Sequence, residues 1–354
     1  MEPLWVDIQS GRYQTMIGVG GIGTGVFFAL NGNHTLGREE SRGGHFFDRR
    51  DYCKLHIISH YVKTLLGSEF ATVPIGRIGD DKEGEQLRRE MGEAGLDLQY
   101  VETIPGGQTL FSFCLVYPDG SGGNLTTDDS ANATVDEAFV EQAAPLFARF
   151  QGRGVALAAP ETPMVARQRL LELGTEHKFF RVTSLTSLEI ASPQAGRILE
   201  QTDLLAINLD EAGALGEVPA DHNEPLSIVK AAIESGRKFN PEMLLSITGG
   251  REGSWVWDGL EVHHRPIISV KAVSTAGAGD AHLAGLISGL VAGLPLSQAH
   301  ELANVVAALS VMSPHTIHPL LDRCSLQEFV ENHEIRLSDE VNGLLIDDSD
   351  AAVA

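Results

Sequence analysis

The feature that most constrains this chain is an alternation, from about Phe150 onward, of short apolar runs with stretches of helical spacing. Val155–Ala159 reads as a buried strand, and Phe179–Val182, Leu204–Ile207 and Met243–Ile247 as three more. Between and after them, Pro163–Leu173 reads as a helix closed by Gly174, and Ala281–Ala292 as a helix rich in Leu, Ile, Gly and Ala. Leu296–Met312 adds another, with apolar residues at helical spacing. Strands separated by helices build a parallel sheet covered by helices on both faces, so the expected fold class is α/β.

The earlier part reads differently. Thr109–Tyr117 is strand-like, Pro118–Gly122 is a strong turn signal, and Asn124–Thr127 is the expected return strand of a β-hairpin. Together with part of Phe27–Gly44 this hairpin is expected to form a small β lid on the α/β body. The expected organisation is one domain over residues 1–335, with the lid drawn from about 24–45 and 105–130. Residues 336–354 form an acidic, small-residue-rich tail, expected to be solvated and loosely ordered.

Composition narrows the function. The 354 residues carry a formal net charge of −22, which argues against a protein that grips a phosphate backbone through a basic face. No run approaches the roughly 18 apolar residues of a membrane span, and Met1–Thr15 lacks the apolar core of a secretory signal. The three cysteines, Cys53, Cys114 and Cys324, are far apart, which excludes a disulfide framework and fits a reducing cytoplasm. Glycine is frequent, at 38 residues, and its clusters carry the chemistry.

The cluster Gly18, Gly20, Gly23 satisfies GxGxxG, but only Thr24–Leu30 separates it from the turn Asn31-Gly32-Asn33. A dinucleotide site needs a strand, then a helix opened by the third glycine. An ordinary strand end near a bend is favoured over an NAD site. The second cluster, Ser274-Thr275-Ala276-Gly277-Ala278-Gly279-Asp280, directly precedes the helix at Ala281. Glycines expose several N–H groups in one direction, and a helix N-terminus adds its positive dipole end, so the loop is suited to an anion. Asp280 is either an N-cap or a carboxylate that takes the proton of an attacking hydroxyl while backbone donors neutralise a transferring phosphoryl group. Thr248, Gly250 and Gly253 follow a strand end, where open α/β sheets bind ligands, or make a plain strand-to-strand turn. Asn208 and Glu211 follow another strand end; they could organise a hydrated Mg²⁺, or cap a helix.

In this order the motifs resemble the ribokinase-like family of pfkB-type carbohydrate kinases, over about residues 15 to 330. Ser274–Asp280 matches the family signature Asp-Thr-x-Gly-Ala-Gly-Asp except at its first position. Asn208 and Glu211 match Asn-x-x-Glu, and Thr248, Gly250 and Gly253 match the nucleotide turn. Gly76, Gly79, Asp81 and Gly84, followed by Gly95, resemble the family's N-terminal glycine run. The resemblance implies a ribokinase-like fold and an ATP- and Mg²⁺-dependent phosphotransferase acting on an alcohol of a sugar-like or nucleoside acceptor. It makes Asp280 the general base and the backbone of Gly277, Ala278 and Gly279 the anion hole. Asn208 and Glu211 would serve metal and phosphates; Thr248, Gly250, Gly253 and Thr275 the nucleotide phosphates; Asn304 the adenine border. Gly43, Gly44 and Asp48 stand in the place of the sugar motif, and a homodimer through the lid faces of Phe111, Phe113 and Leu115 is implied by analogy.

The departures cluster at the acceptor end. Ser274 replaces an acid associated with a monovalent cation, Gly25 stands where many relatives hold sugar hydroxyls with an acid, and Asp48 stands where an amide is usual. Asp48 either accepts hydroxyl hydrogen bonds or belongs with Arg49, Arg50 and Asp51 to a solvated charge run. Phe46 and Phe47 either stack on a ligand ring or, the favoured reading, pack within the lid, and His45, His56 and His60 are expected to be structural or surface residues. These departures also motivate a second reading, a non-catalytic nucleotide- or carbohydrate-binding relative of the same fold.

Overall fold

The central sheet grows outward from β1 (Thr15–Val19), five residues that are all buried. A computed structural model describes residues 1–47, 49–119, 122–220 and 223–346; Asp48 and the tail beyond Ile346 lie outside the described residues. The chain leaves β1 into a lid sheet made of β2 (Gly23–Leu30), β3 (Gly44–Phe46) and β4 (Asp51–Tyr52), then returns to the centre through β5 (Ala71–Gly79) and β6 (Tyr100–Ile104). The hairpin of β7 (Leu110–Val116) and β8 (Gly122–Thr126) completes the lid. Beyond it the central sheet continues on the other side of β1 with β9 (Gly154–Ala158), β10 (Phe180–Thr183), β11 (Leu204–Asn208) and β12 (Leu244–Thr248). These are parallel, and β13 (Ser254–Trp257) and β14 (Val262–Arg265) close that edge antiparallel. The four strands expected in the C-terminal half each lie within one residue of their expected bounds.

β1 sits between β5 and β9, so the strand order reverses there, and its carboxyl end is the switch point at which open α/β sheets take their ligands. Side chains alternate across the sheet. Met16 and Leu157 enter one apolar cluster, while Ile17, Val19, Ala156 and Ala158 enter a second on the opposite face. The first cluster is covered by α1 (Lys54–Leu66), α2 (Lys82–Glu93) and, from the far end of the chain, the helices after residue 277. The second is covered by α3 (Glu137–Glu141), α4 (Ala144–Arg149), α5 (Met164–Glu176), α6 (Ser187–Ile190), α7 (Ala195–Glu200), α8 (Leu209–Gly216) and α9 (Pro225–Phe239). Completing the first face are α10 (Ala278–Val291), α11 (Leu296–Ser310), α12 (Arg323–Asn332) and α13 (Asp339–Leu345).

Three expectations change. Helix α5 does not close at Gly174 but runs on to Glu176; a Cβ at 174 would stand 3.1 Å from that of Ala156, so the glycine lets helix approach sheet rather than ending it. Helix α10 starts at Ala278, three residues early. The start of the acidic tail is not loose: α13 buries Val341 and Leu345, and the Trp5 N–H donates to the Leu344 carbonyl at 3.0 Å. After Gly18–Gly23 comes a strand and not a helix, which removes the geometry a dinucleotide fingerprint requires.

In the lid, β2 pairs parallel with β7, and both β3 and β4 pair antiparallel with β2. The registers put Gly25, Ser112 and Asp51 together, and the alternate positions Phe28, Phe113 and Phe46 on the other face, where their rings contact one another.

Three histidines are locked in the body: His56 on α1, His282 on α10 and His300 on α11, none more than 2% exposed. Burial pushes them down to about 3, about 4 and about 2. With folded values below the unfolded value of about 6.5, each is charged only in the unfolded chain as pH drops. Stability is therefore full above pH 6.5 and falls below it, by up to about 1.4 kcal/mol per pH unit for each histidine. His60 and His318 are lowered by burial as well, so replacing His282 by Leu should remove about a fifth to a quarter of the summed slope, read as urea midpoints between pH 7 and 5.5.

Candidate active site

The start of α10 is built by one backbone angle. Gly277 is the N-cap, with φ +79°, a conformation that favours glycine, and a Cβ there would meet the Thr316 carbonyl oxygen at 2.8 Å. The Ala278 N–H donates to the Thr275 carbonyl at 3.3 Å and closes the turn. Among the described residues no acceptor takes the N–H of Gly277 or Gly279. Free N–H groups at the start of a fourteen-residue helix form an anion site. Of the three expected anion-hole residues, Gly277 and Gly279 keep a donor to offer, and that of Ala278 is already engaged.

Asp280 is the third residue of α10 and does not cap it. Its carboxylate, 13% exposed, instead receives the Lys54 Nζ at 3.4 Å. Lys54 opens α1, which packs directly on α10. Two further carboxylates surround this pair. Glu161, just past β9, accepts the Lys54 N–H at 3.2 Å, and its carbonyl accepts the Asn132 amide at 2.6 Å. It holds φ +70°, unusual for a residue with a side chain. Asp51 lies opposite Gly25 on β4 and accepts from the Cys114 thiol at 3.3 Å. Burial raises the pKa of Glu161 and Asp51, with Asp280 adding like-charge repulsion to each. The Lys54 pKa is raised, chiefly by Asp280.

The first glycine cluster is now explained. A Cβ at Gly21 would collide with the Glu161 side chain, one at Gly23 would stand 2.9 Å from the Cys53 sulfur, and one at Gly25 would stand 3.0 Å from an Asp51 oxygen. Gly21 and, on β2, Gly25 make room for the two acids, whereas Gly18, Gly20 and Gly23 let Leu55, Ala159 and Leu110 pack closely.

Asn208 and Glu211 end β11 and open α8 as a reciprocal cap: the Glu211 N–H donates to the Asn208 Oδ1 at 2.9 Å, and the Asn208 N–H to the Glu211 Oε2 at 2.7 Å. The capping reading therefore holds, and it does not use up the carboxylate. Glu211 is 8% exposed, its pKa is raised by burial and lowered by Lys54, and its other oxygen accepts no hydrogen bond among the described residues. An acidic oxygen with a neighbouring amide fits a hydrated Mg²⁺, which favours oxygen ligands and keeps its waters. Thr248 ends β12, and its Oγ1 stands 3.7 Å from where a Cβ of Gly279 would be, which joins the nucleotide turn to the anion site. Gly250 and Gly253 hold φ +56° and +86° around the turn into β13. Thr275 supplies the carbonyl that closes the α10 turn, and the Asn304 amide donates to the Pro266 carbonyl at 3.0 Å, pinning the segment after β14.

Not every expected residue joins this group. Gly43 and Gly44 are exposed at the outer end of the lid: Gly44 pairs with Leu30, five residues along β2 from Gly25, or about 17 Å at strand spacing. Asp81 caps α2 and binds Thr109, a structural role. The charge run around residue 50 divides, with Arg50 turned to Glu90 and Asp51 turned to the site. Lys54 and Glu161 escaped the sequence reading; the place of Glu161, just after a parallel strand, is the signal that could have found it.

A reversing parallel sheet, a β lid over its switch point and an anion-binding helix start with an acid in its first turn define an α/β fold of the ribokinase type. The structure superposes on that of Arabidopsis thaliana ribokinase, complexed with ribose and ATP, with a TM-score of 0.72 and 18% identity, covering 90% of this chain and 99% of the other. It superposes on the Burkholderia thailandensis nucleoside kinase in complex with inosine with a TM-score of 0.68 and 17% identity, covering 91% and 99%. In sequence, the ATP-dependent ribose-1-phosphate kinase of Halopiger xanaduensis is 28% identical over 250 residues, 70% of this chain and 76% of that protein. Residues 60–323 match the pfkB family carbohydrate kinase profile, and the chain belongs to this family.

The Gly277→Ala variant meets both a positive φ and the Thr316 carbonyl. It should lose about 1–3 kcal/mol of stability, measured by thermal unfolding, and should bind ATP more weakly in titration calorimetry.

Proposed function

We propose that this protein transfers the γ-phosphoryl group of ATP to a hydroxyl of a sugar-like or nucleoside acceptor, with Asp280 as general base. The observation that carries the reading is the pairing of a largely covered carboxylate with free backbone donors in one helical turn. Asp280 takes the proton of the acceptor hydroxyl, whose oxygen attacks the γ-phosphorus as the bond to the β-phosphate oxygen breaks and ADP leaves. The N–H groups of Gly277 and Gly279 and the dipole of α10 stabilise the charge spread over the transferring group. Lys54 compensates the charge of Asp280 before the acceptor arrives, and holds the carboxylate in place.

Thr248, Gly250, Gly253 and Thr275 line the nucleotide side, and Asn304 steadies the segment bordering the adenine. Glu211 and Asn208 would hold Mg²⁺ through water; when bound, the ion neutralises phosphate charge. The outer lid face leaves Phe46 61% and Leu125 64% exposed beside Phe113, and a second copy of this chain is the proposed cover, to be read by sedimentation. No described helix is long and apolar enough to cross a membrane, and the three cysteines are free; both are in keeping with a cytoplasmic enzyme.

The test is Asp280→Asn. Turnover in an ADP-release assay should fall by about 10²–10⁴-fold, the range for a positioned proton acceptor, with ATP affinity nearly unchanged because the anion site is backbone. Full activity in that variant would exclude Asp280 as the base. Binding of ATP and acceptor without ADP release by the native protein would favour the non-catalytic reading.

A further inference from the structure

The acceptor side of the crevice has an unusual charge balance. Asp51, Glu161 and Asp280 all face it, with Glu211 behind; Lys54 is the cation bonded within this group, while Arg167, paired with Glu189, attracts Glu161 from inside the body. Arg50, the nearest arginine in sequence, is committed to Glu90. Lys54 is itself held at Asp280, with its backbone N–H on Glu161.

Asp51 is the residue this arrangement leaves least satisfied. Its backbone is tied down, with the Thr24 hydroxyl donating to its carbonyl at 3.1 Å. Its carboxylate stands over the space that a side chain at residue 25 would fill. Among the described residues its one side-chain partner is the thiol of Cys114, a weak donor, and with the backbone N–H of Tyr52 nearby this fills little of about four acceptor positions. A half-buried carboxylate with spare acceptor capacity is matched by hydroxyl donors and opposed by another anion.

Resting on the kinase reading above, we propose that this crevice selects an uncharged, hydroxyl-rich acceptor and rejects the same molecule carrying a phosphate or carboxylate group, with Asp51 accepting the hydroxyl hydrogen bonds that set this choice. Glu161 supplies the second hydroxyl-accepting wall, fixed by Asn132 and by the absence of a side chain at Gly21. One ammonium already paired with the base cannot offset a second negative charge. This preference separates the chain from the relative whose name specifies a phosphorylated sugar.

Matched acceptors decide the matter, chosen so that each hydroxyl is free in at least one anionic partner: ribose against ribose 1-phosphate, ribose 5-phosphate and ribonate, and inosine against its 3′- and 5′-monophosphates. Each is assayed by ligand-induced thermal shift in the presence of ADP, and separately by ADP release from ATP. Neutral members should bind and turn over, with kcat/KM at least about 10²-fold above their anionic partners, the scale of a like-charge clash. In Asp51→Asn the KM for the neutral acceptor should rise about tenfold or more with a smaller change in kcat, the discrimination against anions should shrink, and the KM for ATP should stay put. A merely structural Asp51 would move stability and leave the neutral-to-anionic ratio where it was, which overturns the proposal. Preference for the anionic members by the native protein, or no binding of any neutral member, overturns it without any variant. Selective binding of neutral members with no ADP release supports the pocket assignment and overturns phosphoryl transfer instead.

Discussion

The site depends on a single left-handed residue. Gly277 turns the chain so that two N–H groups point away from α10 with no partner among the described residues, while the same turn rests against Thr316. The helix behind it is held close: Cβ atoms at Gly285 and Gly289 would come within 2.8 Å of the Cα atoms of Ala303 and Ala299 on α11. Small residues thus bring two helices into near backbone contact, and the position of the helix start follows from packing rather than from any ligand. Asp280, three residues into the helix, inherits that rigidity, and Lys54 reaches it from a helix packed alongside.

How much of this was legible follows from the range of the causes. The strands after residue 150 are short apolar runs buried on both faces, and the glycines of the nucleotide turn have local reasons visible in a window of a few residues. Hence the fold class could be read from the chain, and Asp280, Asn208, Glu211 and Thr248 could be picked out as candidate site residues. The proposed acceptor wall could not. Asp51 belongs to a two-residue strand, too short for any periodicity, and its meaning comes from pairing with Gly25 across a long loop. Its neighbours Arg49 and Arg50 made it look like part of a solvated charge run. Gly43 and Gly44 carried the expected motif, yet the extra strand β3 takes them to the far end of the lid, and α1 opens with Lys54 instead.

The glycine cluster at the end of β1 shows how the same residues serve a different purpose from the one their pattern suggests. Their role is to be absent: Gly21 and Gly25 leave volumes that Glu161 and Asp51 occupy from elsewhere in the chain. A pattern match reads what a segment has, whereas this segment works through what it leaves empty. The lid follows from the same alternation, with Gly25, Ser112 and Asp51 turned to the crevice and an aromatic face turned outward.

Thr316 has a consequence of its own. Its N–H donates to the Arg50 carbonyl at 3.2 Å, its hydroxyl receives the Tyr52 N–H at 3.1 Å, and its carbonyl receives the Tyr61 hydroxyl at 3.3 Å while abutting Gly277. The strand that carries Asp51 and the turn proposed to cradle the phosphate are therefore bolted to one residue from a third part of the chain. Any shift of the lid strand reaches the phosphate turn through that rivet, without passing through the sheet.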